Sequence, residues 1–225
     1  MVHLQETKIK QWSTREITSL GLGSDVKWVE SPANGMSGGI LTLWRDEAFI
    51  LSHQRSAANW ILVRGSSNFV VGGIAFLNVY APQATAEKRK LWEELLDIIL
   101  TLKEKYIMVI GDFNAVRKAT ERVNCIHRKL DSELFHNFIT SSGLIEVPFI
   151  NSDFTWYGPD AKASKLDRVL VSSAWFLDGD WLVHADNRCT SDHKPIIFKS
   201  ANRDWGPKSF KFFNCWLQEE DLRSY

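Results

Sequence analysis

Polar side chains that suit hydrolytic chemistry lie next to apolar segments at five places in the 225-residue chain. Three of these clusters directly follow an apolar run, and two directly precede one. If the strands of the second kind run antiparallel to those of the first, all five clusters meet at one end of the fold. The side chains that would meet there are Glu6, Tyr80, Asp112, Asn114, Asp167, Asp192 and His193.

Four carboxylates, an imidazole, an amide and a phenol form a set suited to phosphodiester hydrolysis. A phosphodiester repels anionic nucleophiles, so a divalent cation such as Mg2+, held by one or two carboxylates and several waters, helps to neutralise it. A further carboxylate can orient or deprotonate the attacking water. An imidazole oriented by an acidic partner can stabilise the developing charge. The pattern therefore predicts a metal-assisted hydrolytic site.

Each residue of this set also fits an ordinary structural role. Asp112 and Asn114 fit an Asx turn. Asp167 fits an ion pair with Arg168 or Lys165. The glutamate fits an exposed helix start, the tyrosine a core position and the histidine a helix cap. Spacing alone leaves these alternatives open.

Short apolar runs separated by Gly, Ser and Asn clusters dominate the sequence, and their early spacing predicts hairpins in an antiparallel sheet. Segments such as Ser31–Gly39 and Gly65–Asn68 are interpreted as the connections. The predicted strands are Gly39–Trp44, Ala48–His53, Asn59–Arg64, Val70–Tyr80, Leu144–Ile150, Phe154–Tyr157, Arg168–Ser172, Trp181–Ala185 and Lys194–Phe198.

Two segments show helical periodicity. Ala86–Lys105 carries apolar residues at helical spacing, with Thr85 as a predicted N-cap. Ser132–Ser142 has a second apolar stripe, and Gly143 is a natural C-terminal stop. Strands with helices in two long connections predict an α/β fold. We expect a four-layer α/β sandwich, with two mostly antiparallel sheets face to face, flanked by helices.

Composition predicts a globular protein without indicating its ligand. Lys plus Arg and Asp plus Glu both number 27, so the formal net charge of zero neither supports nor excludes nucleic-acid binding. The cysteines Cys125, Cys189 and Cys215 have no metal-ligand spacing and indicate a reduced, intracellular protein. We find no secretory signal and no apolar run long enough to span a membrane.

Two further features are open to a nucleic-acid interpretation. The basic run Arg117–Lys129 is interpreted first as a solvated face and second as a phosphate contact. Tryptophans can stack on bases, although core packing is the favoured interpretation. The tryptophans concerned are Trp12, Trp28, Trp60 and Trp156.

The motifs around the polar clusters resemble those of the endonuclease/exonuclease/phosphatase superfamily, which includes deoxyribonuclease I and the apurinic endonucleases. Each motif is weak alone, but five in order with compatible spacing are specific, and the resemblance spans residues 1 to about 200. The motifs are Gln5–Lys8, Asn78–Pro82, Gly111–Asn114, Leu166–Leu170 and Ser191–Pro195.

Finer features are similar to the endonucleases of plant LINE-type retrotransposons. They include Gly143–Pro148, Phe154–Trp156 and Ser164–Arg168. A tail with Phe210, Phe212, Asn214 and Trp216 adds to the similarity. The resemblance implies an endonuclease domain over residues 1–200. It also implies a tail over residues 201–225 that leads toward a reverse transcriptase absent from this chain.

The resemblance also implies a role for each matching side chain. Glu6 would bind Mg2+, or Mn2+ as a substitute, with Asp192 as a further ligand or neighbour of the metal. Asp112 would activate the water, and Asp167 would orient His193 for transition-state stabilisation. Asn114 would hold the phosphate, and Tyr80 would contact the phosphate or the leaving group.

One departure from the family pattern concerns the N-terminus. Family members open with a strand that ends in a catalytic Asn before the Gln-Glu motif, whereas Met1 lies close before Glu6 here. We therefore expect a domain without its first strand, weakly active or inactive and poorly folded.

Three functions follow as hypotheses. The first is a monomeric DNA-nicking endonuclease of a retrotransposon. The second is a phosphatase or RNA nuclease of the same superfamily. The third is a non-catalytic remnant that at most binds nucleic acid.

Overall fold

The computed structural model describes residues 1–23, 25–35 and 37–201. The strands are β1 (Val2–Gln5), β2 (Val26–Asn34), β3 (Ser37–Arg45), β4 (Ile50–Ala57), β5 (Trp60–Ser67), β6 (Val70–Tyr80), β7 (Tyr106–Asp112), β8 (Arg122–Val123), β9 (Ile145–Glu146), β10 (Trp156–Tyr157), β11 (Ala163–Ser164), β12 (Asp167–Val171), β13 (Trp181–Ala185) and β14 (Ile196–Ser200). The helices are α1 (Thr14–Ser19), α2 (Thr85–Thr101), α3 (Lys129–Ser142) and α4 (Ser173–Leu177), with a 3-10 turn at Ala119–Glu121.

A six-stranded sheet, in the order β4-β5-β6-β7-β12-β9, forms the centre of the molecule. Its neighbouring strands are antiparallel except β6 and β7, which run parallel and are connected through α2. The register places Tyr80 opposite Asp112 on one side of β7 and Asp167 opposite Asp112 on the other. Three strand ends therefore deliver polar side chains to one edge of this sheet.

Helices cover one face of the central sheet. Leu95 of α2 and Phe135 of α3 are fully buried in one cluster with Leu77, Val109 and Leu170 of the sheet. The apolar stripes identified in the two helical segments account for this packing, since residues three and four apart share a helix face. Burial of these side chains fixes β6, β7 and β12 beneath the helices.

Two smaller sheets cover the opposite face. One has the order β1-β3-β2 and the other pairs β13 with β14. Ile40 of β3 and Val183 of β13 share a core cluster with Met108 and Val169 of the central sheet. Helix α1 packs Ile17 on the outer face of the three-stranded sheet. Helix, sheet, sheet and helix thus form four layers, which confirms the predicted α/β sandwich.

Several predicted boundaries agree with the structure. The strands Val70–Tyr80 and Trp181–Ala185 have the predicted ends. Gly143 ends α3 with a φ of 66°, in the left-handed region that a glycine adopts without penalty. Short apolar runs and a glycine at the end of a helix are local signals, which explains why these boundaries were predicted correctly.

Other local predictions were wrong. Ser31–Asn34, interpreted as part of a connection, belongs to β2, where pairing with β3 overrides the turn propensity of Ser, Pro and Asn. The N-cap of α2 is Ala84, and Thr85 is the first helical residue. In the segment predicted as the strand Leu144–Ile150, only Ile145–Glu146 pairs as a strand.

No helix in the part of the chain that the structure describes is long and apolar enough to cross a membrane. Cys125 and Cys189 are free thiols, whereas Cys215 and the aromatic tail motif lie outside the described residues.

Candidate active site

The centre of the candidate site is Asp112, at the C-terminal end of β7. Its neighbour Gly111 has a φ of +144°, and a Cβ there would lie 2.0 Å from the backbone oxygen of Val79. Only glycine fits so close to β6. This close approach keeps β6 and β7 in register up to their ends, where Tyr80 and Asp112 lie side by side.

Asp167 and His193 approach Asp112 from the other side. His193 Nδ1 lies 2.8 Å from Asp167 Oδ2, and His193 Nε2 lies 4.0 Å from Asp112 Oδ2. Burial alone would lower the pKa of His193, but the hydrogen bond to Asp167 and the surrounding carboxylates raise it to about 9. The imidazole is therefore protonated at neutral pH, with Nδ1 engaged and Nε2 directed toward Asp112.

The ion-pair alternative for Asp167 does not occur in this structure. Arg168, which is fully buried, binds Glu121 and Glu146 through its guanidinium group. Lys165 also binds Glu146, at 2.6 Å. Because these cations are occupied, the Asp167 carboxylate is left to His193.

Asp112 has an unusual protonation equilibrium. Burial and the nearby charge of Asp167 raise its pKa to about 7, partly offset by the positive charge of His193 and a hydrogen bond from the Asn114 backbone. This backbone contact, from Asn114 N to Asp112 Oδ1 at 2.8 Å, is also the Asx-turn contact considered above. The structure thus combines the turn with the clustered acids.

The Asn114 side chain is buried and fixed on both ends. Its Nδ2 donates to the Ala81 oxygen at 2.7 Å, and its Oδ1 accepts from Gln83 Nε2 at 2.7 Å. Asn114 has a φ of 45°, a left-handed conformation that asparagine tolerates better than most residues. Ala81 takes one of the two amide hydrogens, which leaves the second for another acceptor.

A hydrogen bond joins Glu6, which follows β1 of the three-stranded sheet, to Tyr80, which ends β6 of the central sheet. The Tyr80 hydroxyl donates a hydrogen bond to Glu6 Oε1. Burial, the bond to Glu6 and the charges of Asp112 and Asp192 raise the pKa of Tyr80 well above its ordinary value, so the phenol stays protonated. Glu6 is exposed and directly follows β1, so its placement depends on that strand.

Asn78 positions β1, a role that the sequence motifs did not indicate. It is fully buried, accepts from Gln5 Nε2, and donates to the Leu41 oxygen at 3.1 Å and to Thr42 Oγ1 at 3.2 Å. These bonds tie the end of β1 to β3 and to the central sheet. Glu6, one residue further along, is thereby directed toward the site.

Asp192 is exposed and bound by Trp156. The Trp156 indole Nε1 donates to Asp192 Oδ2 at 2.8 Å, and the Tyr157 backbone N–H donates to the Asp192 carbonyl at 2.9 Å. The core interpretation was therefore wrong for Trp156, which lies beside the candidate site. It holds for Trp60, which is 2% exposed.

Thr155 connects the Asp167 and His193 segments. Its Oγ1 accepts hydrogen bonds from the backbone N–H groups of Leu166 and Asp167, each at 3.0 Å. Its carbonyl accepts from the Lys194 backbone N–H at 2.7 Å. Thr155 is fully buried. It lies in the Phe154–Trp156 motif, but the motif did not indicate this role, because the partners of Thr155 come from distant segments.

The donor set fits a hydrated divalent cation. Among residues 1–23, 25–35 and 37–201, no three Asp, Glu, His or Cys side chains are grouped as a direct metal cage. Mg2+ does not require one, since it retains several waters and binds one or two carboxylates. The carboxylates that raise the pKa of Asp112 and Tyr80 supply the excess negative charge that such a cation would neutralise.

The candidate site opens into a cleft of about 850 Å3. The upper end of the cleft, at the C-terminal end of β7, is lined by five polar residues: Glu6, Asp112, Asp167, Asp192 and His193. Five of the seven predicted residues thus line one cavity. Tyr80 contacts this set through its hydrogen bond to Glu6, and Asn114 contacts it through its backbone hydrogen bond to Asp112.

The cleft combines carboxylates with a histidine, which is a set of groups suited to hydrolytic chemistry. The model of the Endonuclease/Exonuclease/phosphatase family matches residues 2–193. The chain therefore belongs to the endonuclease/exonuclease/phosphatase family, as the sequence motifs predicted. A sequence comparison with curated proteins gave no match.

Solved structures share the fold at low sequence identity. A 3′ phosphatase NExo from Neisseria, bound to a product DNA hairpin, is 16% identical, with 88% of this chain and 87% of that chain covered and a TM-score of 0.67. The catalytic domain of Xenopus laevis APE2 is 14% identical, with 89% and 85% covered and a TM-score of 0.65. The endonuclease domain of TRAS1, a telomere-specific non-LTR retrotransposon, is 17% identical, with 77% of each chain covered and a TM-score of 0.58.

Proposed function

We propose that this chain is a divalent-metal-dependent phosphodiesterase that nicks DNA as the endonuclease of a LINE-type retrotransposon. The observation that carries the proposal is the convergence of His193 and Asp112 on one point. Their Nε2 and Oδ2 atoms lie 4.0 Å apart, too far for a direct hydrogen bond. A water that donates to Asp112 Oδ2 would lie next to a phosphoryl oxygen that accepts from His193 Nε2–H.

Asp112 serves as the base in this scheme. A general base works best when its pKa lies near the working pH, and the pKa of Asp112 is raised to about 7. Asp112 would accept the proton of the attacking water as the water oxygen bonds to phosphorus. The bond from phosphorus to the leaving ester oxygen would break, and that oxygen would take up a proton from solvent. The hydrogen bond from the Asn114 backbone keeps the carboxylate directed into the cleft.

His193 serves as the electrostatic partner of the phosphate. Its pKa of about 9 keeps the imidazole charged at neutral pH, and Asp167 fixes the ring through Nδ1. Nε2–H would therefore donate to the phosphoryl oxygen as negative charge develops there. The second amide hydrogen of Asn114 and the protonated Tyr80 hydroxyl would add neutral donors.

Glu6 and Asp192 would hold Mg2+ or Mn2+ together with waters. The metal would neutralise the phosphate and polarise its oxygen. Glu6 is directed by the bond from Tyr80, and Asp192 by the bond from Trp156. Both carboxylates are exposed, so they can exchange these partners for a hydrated cation.

The retrotransposon assignment rests on the plant LINE-type motifs and on the shared fold of the TRAS1 endonuclease domain. Under this assignment residues 1–200 are the endonuclease domain, and 201–225 lead toward a reverse transcriptase. The substrate would be duplex DNA, cut by a monomer.

The test is the nicking of supercoiled plasmid with Mg2+ by the chain and by Asp112→Asn. We expect the substitution to reduce nicking roughly 10²- to 10⁴-fold, as loss of a general base does. Asp97→Asn is the matched control, because Asp97 is an exposed acid on α2, away from the cleft. Equal nicking by the chain and Asp112→Asn would overturn the proposal. Phosphate release from a 3′-phosphorylated oligonucleotide, or cleavage of RNA alone, would favour another family activity.

A further inference from the structure

The pairing between β1 and β3 shifts by one residue at Glu6. Gln5 is paired with Ile40 at the end of β1. In an unbroken antiparallel ladder the next residue, Glu6, would lie opposite Gly39. The backbone N–H of Thr7 instead donates to the Gly39 oxygen, at 3.1 Å. Glu6 is therefore the extra residue of a β-bulge, a feature that bends a strand and can redirect a side chain.

The bulge changes the face to which Glu6 points. Successive side chains of a strand lie on opposite faces of the sheet. Val2 and Leu4 pack on the outer face, beside α1, whereas Gln5 bonds to the central sheet. By this alternation Glu6 would point outward with Leu4, yet its carboxylate accepts a hydrogen bond from Tyr80 of the central sheet. The extra residue thus turns the carboxylate from the outer face to the inner one.

Positive φ angles mark both sides of the bulge. Glu6 has a φ of 53° and Lys8 a φ of 57°, a left-handed conformation that is unfavourable for residues with a Cβ. Opposite them, Gly38 and Gly39 have φ angles of 74° and 85°. The Lys8 backbone N–H donates to the Gly38 oxygen at 3.0 Å, which closes the bulge. Such strain persists only where the surrounding structure enforces it, and it is concentrated at functional sites.

Gly39 leaves the space that the bulge occupies. It is buried, and a Cβ there would lie 2.4 Å from Thr7 Oγ1, 3.1 Å from the Lys8 nitrogen and 3.2 Å from the Ala33 Cβ. Gly38 has a similar φ, but a Cβ there would meet no atom within 4 Å. In the described part of the chain Thr7 Oγ1 has no hydrogen-bond partner, so Thr7 acts at this contact through its shape.

We propose that Gly39 is a positioning residue for Glu6, because it permits the bulge that directs the carboxylate into the candidate site. This inference rests on the proposed function, in which Glu6 holds a divalent cation. Residues that orient a metal ligand without touching the metal commonly change its affinity. An alanine at position 39 would displace Thr7 and the backbone of Lys8, and Glu6 would turn back toward the outer face.

The test is the binding of Mn2+ to the full chain without DNA, followed by the electron paramagnetic resonance signal of free Mn2+. Glu6→Gln gives the loss expected when the ligand itself is removed. Gly39→Ala should weaken binding at least about tenfold, whereas Gly38→Ala, with a similar φ and free space, should retain it.

A double variant tests whether the added Cβ acts through its nearest neighbour. Thr7→Ala removes the atom that lies nearest to a Cβ at position 39. Alone it should bind Mn2+ as the unchanged chain does, since the hydroxyl makes no hydrogen bond among the described residues. Combined with Gly39→Ala it should restore part of the lost affinity, which a general loss of stability would not do. Circular dichroism establishes that each variant is folded.

Two variants of one exposed residue test the bulge without a steric clash. Lys8→Gly and Lys8→Val both remove the same exposed charge. Glycine favours the left-handed conformation of this position, and β-branched valine opposes it. Lys8→Val should therefore bind Mn2+ roughly tenfold more weakly than Lys8→Gly. This pair decides the outcome if Gly39→Ala does not fold.

The results distinguish this inference from the proposed function. If Glu6→Gln loses Mn2+ binding while Gly39→Ala and Gly38→Ala bind equally, Gly39 does not position Glu6, and the proposed function stands. If Glu6→Gln binds Mn2+ as the unchanged chain does, Glu6 is not a ligand, and the metal assignment fails together with this inference. Equal binding by Lys8→Gly and Lys8→Val would overturn the role of the bulge.

Discussion

His193 and Asp167 are joined by a contact of 2.8 Å between Nδ1 and Oδ2, although His193 precedes β14 of the two-stranded sheet and Asp167 begins β12 of the central sheet. The contact bridges the two layers of the sandwich at the upper end of the cleft. It determines both the orientation of the imidazole and its charge. The relation between the two residues therefore yields a direct test.

The substitution Asp167→Asn should lower the pKa of His193 from about 9 to its ordinary value or below. Burial alone lowers the pKa of His193, and the bond to Asp167 is the largest influence that raises it. The imidazole titration, followed by NMR, measures the change. If the proposed function is correct, nicking at pH 7.5 falls in parallel. An unchanged titration would show that Asp167 does not control the charge of His193.

Thr155→Val should destabilise the fold and weaken the site, whereas Thr155→Ser should do neither strongly. Valine leaves the buried N–H groups of Leu166 and Asp167 without their acceptor, at about 1–3 kcal/mol for an unsatisfied group. Urea denaturation measures the free energy of unfolding. Nicking by stable, folded Thr155→Val should fall and be restored in Thr155→Ser. Equal stability of both variants would contradict the role given to Thr155.

Glu146 should make stability depend on pH in the acidic range. Burial alone raises the pKa of Glu146, but Arg168 and Lys165 lower it to about 2, against 4.5 in the unfolded chain. A lowered pKa contributes stability above pH 4.5, which is lost as the pH falls toward 2. The shift corresponds to about 3 kcal/mol at neutral pH.

The measurement compares the chain with Glu146→Gln in urea at several pH values. The difference in unfolding free energy should be largest at neutral pH and should shrink below pH 4.5. Glu133→Gln is the control, since the Glu133 side chain is 55% exposed in its pair with Lys129. A difference for Glu146→Gln that does not vary with pH would contradict the prediction.

Gly111→Ala should reduce the free energy of unfolding by more than roughly 2 kcal/mol, because the added Cβ meets the Val79 backbone and the φ of +144° is unfavourable for alanine. Gly143→Ala is a matched control. Gly143 also has a positive φ, +66°, but a Cβ there meets no atom within 4 Å. Gly143→Ala should lower the free energy of unfolding by about 1 kcal/mol. Similar losses in both variants would show that the close approach to β6 is unimportant.

Local patterns predicted much of the fold. An apolar run that follows a Gly, Ser and Asn cluster identified β6, and the apolar stripes identified α2 and α3. Polar residues at strand ends correctly indicated that Asp112, Asp167 and His193 would meet, because a strand's end is marked in its own sequence.

What local patterns did not indicate depends on distant partners. Asn78 and Thr155 are buried polar residues whose bonds join segments far apart in the chain. The sequence around Trp156 is typical of a core segment. Its indole has a polar partner only because the fold places Asp192 beside it. β2 shows the same limit, since pairing with β3 decides its conformation.

The parallel pairing of β6 and β7 has a consequence for the time course of folding. Hairpins such as β4–β5 close over short loops, whereas β6 and β7 can pair only after α2 has crossed over and returned the chain to the same end. Contacts of long sequence separation form slowly. The ends of β6, β7, β12 and β14 must all arrive before the acids meet His193. During refolding, the cleft should therefore form after the helical circular-dichroism signal has recovered. Formation of the cleft reports that the native topology is complete.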